Sequence, residues 1–249
     1  MPAAPLTLAV VVSVVLVLVA LVAVMWRERS LPRDGLVAQV ASVMLTLWAT
    51  LIAVLGRKGV LQARAGEGVP PIAIVLVAAL LLLASSLIGS TTLRRLLSRQ
   101  SVLIQLHIWR LLGVVFLILW AQGKVPALWA LPAGIGDILI AATAPWIARH
   151  LVTARGRSRA ITWNLLGMAD LIVAIALGNM TSPGAVQVFR TVPTSEILTA
   201  FPMVLVPGFL VPLAFTLHVV SLWQLQGKQW AGQVVDRRGP VRMTARGLL

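Results

Sequence analysis

Long apolar blocks alternate along the whole chain with short polar segments rich in arginine. A hydrocarbon core about 30 Å thick is crossed by roughly 20 apolar residues, each rising about 1.5 Å in a helix. Seven blocks meet that length: 6–26, 36–56, 72–89, 101–121, 127–147, 160–178 and 197–225. The predicted fold is therefore all-α, a single polytopic transmembrane helix bundle over 1–225, followed by a basic tail at 226–249. The last block contains Pro202, Pro207 and Pro212, so it is either one kinked, tilted helix or a broken one. The first and third blocks are almost pure Val, Leu, Ile and Ala and are expected to face lipid all round. The fourth to seventh carry the polar residues and are expected to form the interior of the bundle.

Composition agrees with the pattern. Of 249 residues, 59% are hydrophobic and only 11% charged, and the mean hydropathy is +0.96. A soluble domain is about a quarter charged, so this chain needs the bilayer as part of its solvent. Nothing basic precedes Arg27, and the first block is longer than a signal-peptide core. It is read as a retained first span.

The net charge of +14 changes the picture in one respect. Arginines crowd the segments after the first, third and fifth blocks and the tail, and are sparser on the alternate side. The positive-inside rule then places the N-terminus outside and the C-terminus in the cytoplasm. The segment with Arg57, Lys58 and Arg64 is the one that fits this least well. The basic residues lie in short turns, where anionic headgroups are the natural partner, and nucleic acid is not expected. The chain has no Cys, which excludes disulfides, thiolate metal sites and cysteine nucleophiles.

A charged side chain at mid-span costs about 2.5–3.5 kcal/mol on insertion scales and usually has a partner inside the protein. The ionisable residues so placed are His107, Arg110, Asp137, Asp170 and His218. His107 and Arg110 are three residues apart and share a helix face. Asp137 and Asp170 each lie about ten residues from a span edge, hence near the midplane. The spacing predicts that Arg110 pairs with Asp137 or Asp170. Two carboxylates against one guanidinium leave a negative charge over, to be met by a proton on an Asp or by a charged histidine. Asn164 is placed to hydrogen-bond between helices. The fifth and sixth spans echo each other as Gly134-x-x-Asp137 and Gly167-x-x-Asp170, followed in both by three aliphatics and an Ala, so two like faces could meet.

His107 and His218 fall at similar depth, which makes an axially ligated b-type haem an alternative. No metal site is expected, since no His-x-x-x-His or Glu-x-x-His spacing occurs. There is no phosphate-cradling glycine loop and no Gly-x-Ser-x-Gly elbow, and no catalytic residue is assigned. No lysine lies in the last span, which excludes a retinal Schiff base there. Trp26, Trp120, Trp129, Trp146 and Trp223 sit near block ends and are expected in an interfacial belt, with His150 at the same level. Glu196 is expected to cap the last span.

The run His107-x-x-Arg110-x-x-Gly113, then Leu131-Pro-Ala-Gly-x-Gly-Asp137, then Trp163-Asn-x-x-Gly-x-x-Asp170 resembles a group of uncharacterised bacterial polytopic integral membrane proteins. The resemblance implies a bacterial cytoplasmic membrane and brings no established activity. The leading expectation is binding or transport of a small solute or proton at the Arg/Asp cluster. The alternatives are a haem redox protein and a non-catalytic subunit or assembly factor, meeting a membrane partner or a second copy through its first and third spans.

Overall fold

A computed structural model describes residues 4–64, 68–151 and 153–226. Among these the chain forms only helices and turns. They are α1 (Ala4–Arg27), α2 (Pro32–Arg57), α3 (Pro71–Gly89), the short α4 (Thr91–Leu96), α5 (Gln100–Gln105), α6 (Gly113–Ala121), α7 (Ala127–Arg149), α8 (Ala154–Met180) and α9 (Val211–Gln226). A 3₁₀ turn, Leu106–Leu112, joins α5 to α6 into one continuous rod, and a π-helical turn, Val206–Leu210, leads into α9. Seven of the resulting rods are long and apolar enough to cross a membrane.

Local chemistry sets the helix starts. Pro32 and Pro71 occupy first-turn positions where no amide donor is needed. Ser90 Oγ accepts from the Leu93 amide to start α4, and Thr153 Oγ1 accepts from the Gly156 amide to start α8. At one end of the bundle Asp34 pairs with Arg95, Glu28 pairs with Arg99 at 2.5 Å, and Gln224 donates to the Leu97 carbonyl. This is the α4 end. At the opposite end the Ala63 amide donates to Thr199 Oγ1, and Ser195 Oγ donates to the Gly178 carbonyl, tying segment 181–205 across the helix ends.

Four expectations are decided or changed. The last span is the broken alternative, because it begins at Val206 rather than 197. Glu196–Thr199 is a separate 3₁₀ turn, so Glu196 does not cap that span. Pro202 and Pro207, lacking amide donors, prevent one regular helix through the region. The first and third spans do not face lipid all round. Val10, Val14, Val17, Leu21 and Met25 form a buried stripe on α1, and Ile72, Leu76 and Ala79 one on α3. A uniformly apolar helix carries no mark of which side meets protein. Trp129 is buried at 4% exposure rather than interfacial. It packs on Phe116 and donates to the Ala174 carbonyl. The basic tail expected at 226–249 lies outside the described residues beyond Gln226.

Candidate functional site

The site grows from the 3₁₀ turn. At three residues per turn, i and i+3 stand directly above one another. His107 and Arg110 therefore project from one edge into the bundle, both fully buried. Arg110 is the single residue among the 21 Lys and Arg that lies deep inside a predicted span. Asp137 is the eleventh residue of α7 and Asp170 is ten residues from the end of α8. Each is about 15 Å from the end bearing segment 181–205, so the three groups share one depth.

Every nitrogen of the guanidinium is engaged. Arg110 Nε donates to Asp137 Oδ1 at 2.5 Å, and Nη2 donates to Asp170 Oδ2. Nη1 reaches His218 Nε2 at 3.2 Å and the Gly167 carbonyl at 3.4 Å. Thus the sequence-predicted pairing with one aspartate is a pairing with both. Asn164 bridges α8 to α9 as well as bonding within its own helix. Its Nδ2 donates to the Ala160 carbonyl at 2.8 Å, which leaves Oδ1 to accept from His218 Nδ1 at 2.9 Å. His218 Nε2 is then the acceptor for Arg110, so His218 is a neutral imidazole with its proton on Nδ1. His107 faces two acceptors, the Leu103 carbonyl at 3.0 Å and the Ala214 carbonyl at 3.3 Å. Only a ring protonated on both nitrogens donates to both.

The glycines make this convergence sterically possible. A side chain at Gly136 would run into the Asp170 carboxylate. One at Gly167 would meet the His218 ring at 2.5 Å and Arg110 Nη1 at 3.3 Å. At Gly113 it would come within 2.6 Å of the Gly134 carbonyl oxygen, where the fourth and fifth spans cross. The two Gly-x-x-Asp repeats therefore do not present like faces to each other. Gly134 serves the contact with Gly113, while Gly167 makes room for His218. What the repeats share is the guanidinium their aspartates bind.

His107 and His218 do come together, at matched depth as expected, but as a stacked pair. Their ring centroids are 3.9 Å apart with the planes inclined by 33°. Trp163 closes the group, 5.3 Å from His107 and 5.2 Å from His218. A haem iron would have to sit between two imidazoles with the porphyrin separating them. Rings in direct contact, with all four nitrogens turned to Leu103, Ala214, Asn164 and Arg110, do not fit that group. No cluster of three His, Asp or Glu suited to a metal ion occurs among the described residues.

Asp137 also forms part of the wall of a cavity of about 80 Å³. The rest of the wall is largely apolar, from Phe116, Trp129, Leu171 and Ile175, with Asn179, Ser182 and Ser195 towards segment 181–205. Among the described residues, Ser182 Oγ is buried without a hydrogen-bond partner. The volume accommodates several waters. Sequence reasoning missed Gly136, Trp163 as a ring partner, and Ser182. Gly136 adjoins Asp137 in the motif, and Trp163 lies on the same stripe of α8 as Asp170, so those two had a signal. Ser182 lies in an irregular segment with no periodicity to place it.

No curated protein and no solved structure matches the chain. A family model described as Domain of unknown function (DUF8737) matches residues 69–226, which include the last five spans and every residue of the Arg110 cluster. With well over half its length in that match, the chain belongs to this family.

Proposed function

We propose that this is a multi-pass protein of a bacterial cytoplasmic membrane that binds a proton at the Arg110–Asp137–Asp170 cluster and couples it to movement of a small solute. The observation that carries the reading is the charge count at the cluster. One guanidinium meets two carboxylates in an apolar bundle, and Asp137 is in the wall of a cavity large enough for water. Pairing leaves one formal negative charge, and burying it uncompensated is costly. A proton on a carboxylate, or on His107, removes the imbalance. Proton relays through membrane proteins are commonly built from such Asp and His groups. The positive-inside pattern puts the α4 end in the cytoplasm, so the cavity side faces outward.

The test is proton movement into vesicles containing the purified protein and an internal pH dye, under an imposed pH gradient. Asp137→Asn and Asp170→Asn are expected to accumulate in the membrane and abolish the proton flux. The reading fails if the unmodified protein moves no protons, with or without candidate solutes. It also fails if both variants retain full flux. If neither variant accumulates, Asp137→Glu, which keeps the charge but moves the carboxylate, decides: a shifted pH dependence of the flux supports proton binding at the cluster, and an unshifted one makes the cluster structural.

A further inference from the structure

A second and larger cavity, about 700 Å³, lies between α2 and α3. It is separated from the Asp137 cavity by the last span, whose Val211 lines one and whose Pro212 lines the other. The helices α2 and α3 each rest on α4 and on the last span, which leaves a cleft between them. On α2 the wall runs from Leu36 to Trp48, and on α3 from Ala79 to Gly89, towards the α4 end. Twelve residues of helix are about 18 Å. That is a little more than one leaflet, roughly half of a 30 Å hydrocarbon core, and so the reach of one acyl chain. The volume lies within the range of about 300–1,000 Å³ typical of small-molecule sites. The wall is apolar for most of its length; its serines, Ser85, Ser86 and Ser90, are grouped near the α4 end, while the Thr216 hydroxyl donates to the Pro212 carbonyl of its own helix.

Charge marks the same end. The turn between α1 and α2 and the segment around α4 are held together by the Asp34–Arg95 and Glu28–Arg99 pairs. Residues 27–34 and 91–99 together carry Arg27, Arg29, Arg33, Arg94, Arg95 and Arg99 against only Glu28 and Asp34. Arg33 is exposed at the start of α2. Arg94 Nη1 donates to the Leu87 and Ile88 carbonyls, at 2.5 and 2.7 Å, and its guanidinium lies 5.1 Å over the Trp223 ring, so among the described residues its Nε and Nη2 have no hydrogen-bond acceptor. A fork of N–H groups at the mouth of an acyl-sized cleft matches a phosphate on a lipid headgroup.

We propose that the cleft between α2 and α3 holds one acyl chain of an anionic phospholipid, with its phosphate at Arg33 and Arg94. The site differs from the general lipid coat in being single, selective for negative charge and enclosed by the α1, α4 and α9 walls.

The test uses the full chain in mild detergent, stripped of bound lipid and titrated with phosphatidylglycerol or phosphatidylcholine of identical chains, with native mass spectrometry as the readout. One phosphatidylglycerol per chain is expected at a concentration at least tenfold below that at which phosphatidylcholine adds. Val40 and Met44 line the cleft and are 51% and 56% exposed, so neither is needed for the core. Val40→Trp and Met44→Trp are each expected to fill the cleft and weaken the single adduct tenfold, with the thermal unfolding midpoint unchanged. The pair Arg33→Gln and Arg94→Gln is expected to make the two lipids equivalent while one chain still binds. Equal ladders of several adducts for both lipids, indifferent to Val40→Trp and Met44→Trp, would overturn the proposal. So would a stoichiometric polypeptide occupying the cleft in place of lipid.

Discussion

Asp170 reaches Arg110 only because residue 136, on the neighbouring helix, has no side chain. The space a methyl group would take at Gly136 is filled by the Asp170 carboxylate. The ion pair and the close crossing of α7 and α8 are thus one feature, and the consequences for substitution follow from geometry.

Gly136→Ala is expected to expel the Asp170 carboxylate from its place beside Arg110, and Gly167→Ala to displace the His218 ring. Overpacking of this kind costs about 1–3 kcal/mol. Gly89, at the end of α3, has nothing within 4 Å of its added methyl position and serves as the control. Gly89→Ala is expected to stay within about 0.5 kcal/mol of the unmodified protein. Thermal unfolding in detergent separates the two classes, and equal losses at all three positions would contradict the packing account.

Arg110→Leu removes the cation shared by two carboxylates. Breaking a buried pair by deleting one partner typically costs about 3–5 kcal/mol. The variant is expected to accumulate poorly. Combining it with Asp137→Asn and Asp170→Asn should restore accumulation, since no unpaired charge then remains. Membrane yield of the single and triple variants is the measurement, and a triple variant as poor as the single one would show that charge is not the cause.

Asn164 and Arg110 sit on either side of His218 and fix its tautomer between them. Asn164→Leu, His218→Phe and the double variant form a thermodynamic cycle. Residues within one hydrogen-bonded network couple by about 0.5–3 kcal/mol, and a coupling in that range is expected. Additive losses would mean that the bond from His218 Nδ1 to Asn164 contributes nothing to stability.

The stacked histidines leave no separation for a porphyrin. After expression with haem available, the purified protein is expected to show only tryptophan absorbance, both before and after dithionite. A Soret band that is lost in His107→Ala and His218→Ala would reverse this conclusion.

Much of the architecture could be read from the chain. Span number follows from apolar length, because the bilayer sets a fixed thickness and a helix a fixed rise. The mid-span placement of Arg110, Asp137 and Asp170 follows from the same arithmetic, and so does their pairing, since isolated charges are costly there. The glycines were visible in the motif, but their neighbours were not. Gly134 and Gly167 occupy equivalent positions in two similar sequences and meet entirely different groups.

What the sequence determined by itself was depth along the membrane normal. What only the tertiary structure decided was rotation about each helix axis and the contacts across it. Hence the buried stripe on a uniformly apolar α1, the start of the last span at Val206, the stacking of His107 on His218, and the cleft between α2 and α3 could not be read beforehand. Apolar length is conserved under rotation of a helix, whereas every side-chain contact changes with it, so hydrophobic pattern fixes the first and only packing against neighbouring helices fixes the second.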